Sequence, residues 1–277
     1  MIEIKNLVFN YGSVEVLRNI SMTLEEGRIY GLLGENGVGK TTLLTLLCGL
    51  KTARGESSIR VDGIDPFKRL PSMLQQQYYL PDEVAPINDM AEGWAKSIGV
   101  FWPNFSWTNF LDLMGIFEID PTKKMNTMSA GQLKKTYIAF ALALGTKYLY
   151  LDEPTNGLDI PGKAQFRSAI MKYTREDSTI VISTHQVRDL ENIIDPVIIL
   201  DRQAVLLNAT ISEISSKLHF DYGTEIHPDN LYMEQLPGGF IQVRPNTTGE
   251  ESKVNIEALF NAVHKHKDLI KAMFSHE

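Results

Sequence analysis

Alternating stretches and wholly apolar runs divide the chain into two textures. Residues 2–9 (Ile-Glu-Ile-Lys-Asn-Leu-Val-Phe) and 20–24 (Ile-Ser-Met-Thr-Leu) begin on apolar/polar alternation, the period of a strand with one buried face. Residues 58–62, closed by Gly63, have the same character. Together they predict an antiparallel β layer in the N-terminal part. The runs at 28–33, 147–151, 179–183, 197–200 and 204–207 are short and mostly apolar, as strands covered on both faces are. Helical spacing predicts helices over 40–50, 88–98, 106–119, 133–144 and 161–174. The stretch 106–119 places Trp107, Phe110, Leu111, Met114 and Phe117 on one stripe, with Ser106 as its cap. The strand–helix–strand succession 147–183 reads as a βαβ unit feeding a mainly parallel sheet. After residue 212 the pattern weakens into short strand-like pieces, such as 240–243. A last helix there carries Ile256, Leu259, Phe260 and Val263 on one face.

The strand at 28–33 runs into Gly34-Glu35-Asn36-Gly37-Val38-Gly39-Lys40-Thr41-Thr42. This is G-x-x-x-x-G-K-[ST] between a strand and a helix, the phosphate-loop arrangement. Its glycines let successive N–H groups turn inward toward an anion. The helix start adds unpaired N–H groups and the positive end of its dipole. Lys40 supplies a mobile charge for β- and γ-phosphates, and the Thr41 hydroxyl suits Mg²⁺.

The strand 147–151 ends in Asp152-Glu153. An acid at the tip of a strand beside a phosphate loop completes Mg²⁺ coordination, a role for Asp152. Its neighbour Glu153 suits activation of the attacking water. Ser129 followed three residues on by Gln132 is a capping-box pattern and predicts a well-capped helix start, itself a potential anion site. His185, just past the strand 179–183, stands where ligands of open α/β sheets bind.

Bulk properties exclude several functions. A formal charge of −7 lacks the basic footprint of a general nucleic-acid binder. Cys48 is the only cysteine, so no disulfide framework or cysteine metal site forms within one chain, which fits a reducing compartment. No apolar run approaches the ~18 residues of a membrane span, and Met-Ile-Glu-Ile-Lys is unlike a signal peptide. His264 and His266 lie two apart, off a shared helix face, and read as solvated.

Taken together and in order, the motifs resemble those of the ATP-binding subunits of ABC transporters: the phosphate loop at 34–42, Met128-Ser129-Ala130-Gly131-Gln132 as the signature, and Tyr150-Leu151-Asp152-Glu153-Pro154. Asn156-Gly157-Leu158-Asp159 and Ser183-Thr184-His185 complete the set. The resemblance covers about residues 2–212. It implies an α/β P-loop NTPase fold with a RecA-like, mainly parallel core, an N-terminal antiparallel layer, a helical subdomain at about 82–145, and a small C-terminal α+β element at 213–277. It also implies ATP and Mg²⁺ as cofactors and two cassettes, a pair of copies of this chain, joined head to tail. Each ATP would lie between one phosphate loop and the other subunit's Ser129, Gly131 and Gln132.

The resemblance assigns further roles. Tyr11 stacks on adenine, His185 contacts the γ-phosphate, Asp159 couples the two sites, and Gln76 or Gln77 is the glutamine between the ATP site and the helical subdomain. A separate transmembrane permease would hold the chain on the cytoplasmic face of the membrane, driving export; some aromatics between Trp94 and Phe110 would dock it. The alternative is an ATPase of the same family acting on ribosomes or DNA. Ala130 and Val38 depart from the family pattern, each standing where a smaller residue is usual.

Overall fold

A computed structural model describes residues 1–53, 55–201 and 204–274. The last three residues of the expected C-terminal element, 275–277, lie outside the described residues. Strands β1 (Ile2–Tyr11), β2 (Val14–Leu24) and β3 (Ile29–Leu33) precede helix α1 (Lys40–Leu47) and β4 (Ser58–Val61). A short helix, α2 (Pro71–Leu74), leads to β5 (Gln77–Leu80). Then come α3 (Ala91–Gly99), α4 (Trp107–Ile116), α5 (Ala130–Ala143), β6 (Tyr148–Asp152), α6 (Ile160–Tyr173) and β7 (Thr179–Thr184). The chain continues through β8 (Val197–Asp201), β9 (Ala204–Ala209), α7 (Ile211–Lys217), β10 (Leu218–Gly223), β11 (Tyr232–Leu236) and β12 (Gly239–Pro245). Helices α8 (Ile256–Lys265) and α9 (Lys267–Phe274) follow.

The central sheet has the order β5-β6-β7-β3-β8-β9. All its pairs are parallel except β8 with β9. Its inner strands β6, β7, β3 and β8 are mostly apolar and buried because both faces are covered. On β6, Leu149 and Leu151 join one core while Tyr148 and Tyr150 join the other. The second core lies under the antiparallel layer β2-β1-β4 and α1, and the first holds the helices α3–α6.

Ser106 caps α4 as its sequence predicts, accepting the N–H of Asn109. The buried stripe of α4 is Phe110, Leu113 and Met114, with Phe117 just after it; Leu111 is 38% exposed instead. Trp94 is buried, while Trp102 and Trp107 are half-buried against the same core. After α7, a separate three-stranded sheet of order β10-β12-β11 packs with α8.

Candidate functional site

Parallel pairing brings the carboxyl ends of β5, β6, β7 and β3 into a row. Neighbouring strands lie about 4.8 Å apart, so side chains at and just past these four ends come close together. Register fixes the alignment: Asp152 pairs with Ser183, and Thr184 with Leu33. The loop after β3 and the start of α1 reach back to the end of β6, where Thr41 meets Asp152 and Lys40 nears Glu153.

Loop curvature depends on two glycines in particular. Gly39 holds φ +105°, and a Cβ there would lie 2.7 Å from Leu17 Cδ2. A Cβ on Gly34 would meet the Leu200 carbonyl oxygen at 2.6 Å. Val38, the loop's departure from the family pattern, is 2% exposed and packs in the core beneath the antiparallel layer. Its extra bulk therefore points away from the pocket.

Lys40 caps the loop from inside. Its Nζ donates to the carbonyls of Gly34 (2.7 Å) and Glu35 (3.2 Å) and lies 3.8 Å from Glu153 Oε1. Burial lowers its pKa, opposed by the charges of Glu153 and Asp152. An ammonium held in this way costs solvation, and a bound polyanion offsets that cost.

The Thr41 hydroxyl donates to Asp152 Oδ2 at 2.7 Å, and Tyr79 donates to the same oxygen at 3.2 Å. Burial beside Asp152 raises the Tyr79 pKa, which keeps this phenol a donor. Asp152 Oδ1 accepts from Ser183 Oγ. Among the described residues no three His, Cys, Asp or Glu side chains gather as a protein-only metal cage. One hydroxyl and one carboxylate instead suit a small hard cation that keeps water and phosphate oxygens as ligands.

Glu153 follows β6 at φ +43°, with its N–H donating to Ser183 O and Oγ, both at 3.1 Å. It is 8% exposed. Its Oε1 lies 2.9 Å from His185 Nδ1, so the two side chains form one unit at the ends of β6 and β7. Tyr11 is 47% exposed at the pocket's rim, where its hydroxyl lies 3.3 Å from Thr42 Oγ1; Phe9 packs edge-on against its ring and Lys51 Nζ lies 4.9 Å from the ring centroid. Tyr11, Asn36, Gly37, Gly39, Thr42 and Glu153 line a hollow of about 340 Å³, together with Lys40 and Thr41.

Ser129 lies outside this hollow, as the cap of α5. Its Oγ accepts the Gln132 N–H at 3.2 Å, and Gln132 Oε1 accepts the Ser129 N–H at 3.2 Å. The Gln132 side chain is thus committed to the cap, with Lys123 as a further donor at 2.9 Å. Ser129 and Ala130 are exposed. The Asp159 carboxylate caps α6 through the Gly162 N–H (2.9 Å) and lies 3.8 Å from Lys135.

One sequence assignment requires correction. Gln76 and Gln77 sit at the opposite end of β5 from the phosphate loop. Gln76 is exposed, and buried Gln77 donates to the Cys48 carbonyl at 3.0 Å. The residue that enters the pocket from β5 is Asp82, two positions past the strand's end. Its carboxylate accepts from Asn156 Nδ2 at 3.1 and 3.3 Å and lies 3.6 Å from Lys134 Nζ on α5. Lys134 is 4% exposed and also donates to the Pro81 carbonyl at 3.1 Å. Asp82 thus joins the pocket to the helical region, the place expected of a glutamine. Leu80-Pro81-Asp82 carries the available signal, an acid just past a β run, as in Leu151-Asp152.

Comparison with known proteins identifies the family. The ABC transporter family model matches residues 17–156. The ABC transporter ATP-binding protein YtrB of Bacillus subtilis is 28% identical over 91% of this chain and 89% of its own length. The lantibiotic transport ATP-binding protein SrtF of Streptococcus pyogenes is 30% identical, over 70% of this chain and 84% of its own. A solved ATP-binding subunit of an ABC transporter superposes with a TM-score of 0.70 at 22% identity, covering 77% of this chain and 91% of that one. A dimeric ATP-binding cassette with ADP and phosphate superposes at 0.66 and 21%, covering 76% of this chain and 98% of that one. At those identities the structures speak for the fold alone. The chain belongs to the ABC transporter family, as an ATP-binding subunit and ATPase.

Proposed function

We propose that this chain supplies one half of each of two ATP sites in a head-to-tail pair of its own copies, and that hydrolysis there drives a separate transmembrane exporter. One observation carries the reading: Lys40, Thr41, Asp152 and Glu153 converge on a pocket open on one side, while the capped Ser129 turn stands exposed elsewhere on the same chain. A second copy brings that turn over the first copy's phosphates, with the Gly131 backbone beside it. Residues 1–212 form the ATPase domain, 82–145 its helical subdomain, and 213–277 an accessory element.

In this arrangement Tyr11 stacks on adenine, worth about 1–3 kcal/mol. The loop from Gly34 to Thr42 and Lys40 bind the triphosphate. Thr41 and Asp152 hold Mg²⁺, which when bound neutralises phosphate charge and orients the γ-phosphate. Glu153 accepts a proton from the attacking water. His185, fixed by its 2.9 Å contact with Glu153 through Nδ1, presents Nε2 toward the γ-phosphate, and Asp159 carries the state of one site to the other.

The membrane partner docks on the apolar groove of about 480 Å³ lined by Leu50, Pro71, Tyr79, Phe101 and Trp102. Of the aromatics between Trp94 and Phe110, Phe101 stands out at 63% exposed. Among the described residues no helix is long and apolar enough to cross a membrane, so the groove is where this chain meets one, on the cytoplasmic face. The likeness to a lantibiotic transport protein supports a transport role; export is the direction we propose for it.

Two substitutions test these surfaces. Ser129→Arg should lower ATPase activity by about 100-fold, because it drives a large cation into the opposed half-site. ATP binding by isolated monomers should stay within about threefold, measured with a fluorescent nucleotide. An equal loss of monomer binding contradicts the shared site. Phe101→Asp should release the chain from the membrane fraction while purified ATPase activity persists, since Phe101 is 63% exposed and does not line the pocket around Lys40. Undiminished membrane retention removes the groove from the docking role.

A further inference from the structure

The segment that follows His185 is held from two sides. It contains a single turn of 3₁₀ helix, Val187–Asp189, and is anchored in the core by buried Leu190 and Ile194. On the core side, α6 grips it: Lys163 Nζ donates to Gln186 Oε1 (3.0 Å) and pairs with Asp189 (2.7 Å), while Arg167 donates to the Asp189 carbonyl (3.2 Å). On the other side stands the first turn of α8. Glu257 pairs with Arg188 at 2.5 Å, and the Ile256 N–H donates to Glu191 Oε1 at 3.4 Å. Between the segment and α8 lies a hollow of about 640 Å³ bordered by His185, Gln186, Arg188, Phe260 and Asn261. Buried Leu190 and Ile194 share an apolar core with Ile256 and Leu259 of α8, and the exposed part of the segment, Arg188 above all, is tied to α8 by the polar anchors that cross to it.

We propose that Glu257 is a positioning residue for ATP hydrolysis, acting through Arg188 to hold the segment that carries His185 at the γ-phosphate. A catalytic or binding group has to be held within about 0.5 Å of its productive position to act on a transition state. Loosening one anchor lets the segment sample other positions and lowers the fraction of competent sites. The hollow that Glu257 lines is also bordered by Gly34 and Glu35 at the start of the phosphate loop; the effect falls on turnover, because Glu257 acts through Arg188 on the segment. It also gives the accessory element a defined task, linking the sheet-and-helix unit after α7 to the end of β7.

The Arg188 and Glu257 side chains are 78% and 42% exposed, so the pair alone is modest in strength. Glu257→Ala should lower kcat about threefold with KM for ATP within about twofold. Arg188→Glu should lower it further, because it sets two like charges together. The exchanged pair, Arg188→Glu with Glu257→Arg, should return kcat to within about twofold of the parent. Amide exchange over 185–191 should quicken in both single variants and recover in the exchanged pair. A purely structural loss has no reason to recover on exchange.

Parent turnover in Glu257→Ala overturns the proposal, and so does an exchanged pair no better than Arg188→Glu or a loss carried by KM. The proposal rests on His185 acting at the γ-phosphate, which His185→Ala tests separately. An active His185→Ala refutes that premise and the proposal with it. An inactive His185→Ala beside an unchanged Glu257→Ala refutes the positioning role alone.

Discussion

Glu153→Gln should lower ATP turnover by at least about 100-fold while leaving ATP affinity within about threefold. Gln keeps the length and shape of Glu, so the residue retains its unusual φ of +43° and its N–H bonds to Ser183 O and Oγ. His185 Nδ1, 2.9 Å from Oε1, still finds an acceptor in the amide oxygen. What disappears is the capacity to take a proton from water, and general-base assistance contributes about 10²- to 10⁴-fold. The negative charge beside Lys40, 3.8 Å away, also goes. That frees the ammonium for phosphate and works against any loss of affinity. Steady-state phosphate release and equilibrium nucleotide binding separate the two quantities. Turnover within tenfold of the parent removes Glu153 from the proton-accepting role.

Lys40→Ala should weaken ATP binding by about 100-fold or more. Charge-assisted hydrogen bonds contribute about 1.5–3 kcal/mol each, and Lys40 is positioned to make more than one to the triphosphate. Without nucleotide its Nζ is spent on the carbonyls of Gly34 and Glu35, and burial disfavours its charge. Removing it therefore relieves one desolvation cost while stripping buried Glu153 of its cation, and the fold should survive. Nucleotide titration beside a thermal melt makes the check. Unchanged affinity in a folded variant contradicts the phosphate-loop reading.

Much of the fold is legible because two periods dominate the sequence. The runs that form β3, β6, β7 and β8 are mostly apolar and buried, and the helices that cover them repeat at helical spacing. Reading fails where tertiary pairing outweighs local pattern. β2 runs over Val14–Leu24, but only residues 20–24 read as a strand. Its buried residues Leu17 and Ile20 are three apart, and Asn19 between them has φ +47°. A bulge of this kind breaks the two-residue period. β5 is a four-residue edge strand, Gln-Tyr-Tyr-Leu, half-exposed at its middle pair and defined by its pairing with β6. With β5 unread, the run of three glutamines drew attention away from Asp82. At β11, exposed and half-buried residues alternate without a buried face, which left the accessory sheet without a strong signal.

The candidate site was more legible than the fold around it. The phosphate loop, Asp152, Glu153 and His185 each stand immediately past a strand end, and parallel pairing gathers such positions whatever the intervening helices do. Ser129 illustrates the limit: sequence and structure both make it a helix cap, and what it faces in function depends on a second molecule.

Cross-linking tests the shared site most directly. In the Glu153→Gln background, one chain would carry Asn36→Cys and another Ser129→Cys. Both positions are exposed in the single chain, and the native Cys48 is buried. The head-to-tail arrangement predicts a disulfide-linked dimer on mixing with ATP and Mg²⁺, absent with ADP or without nucleotide. A mixture that remains monomeric at saturating ATP contradicts it.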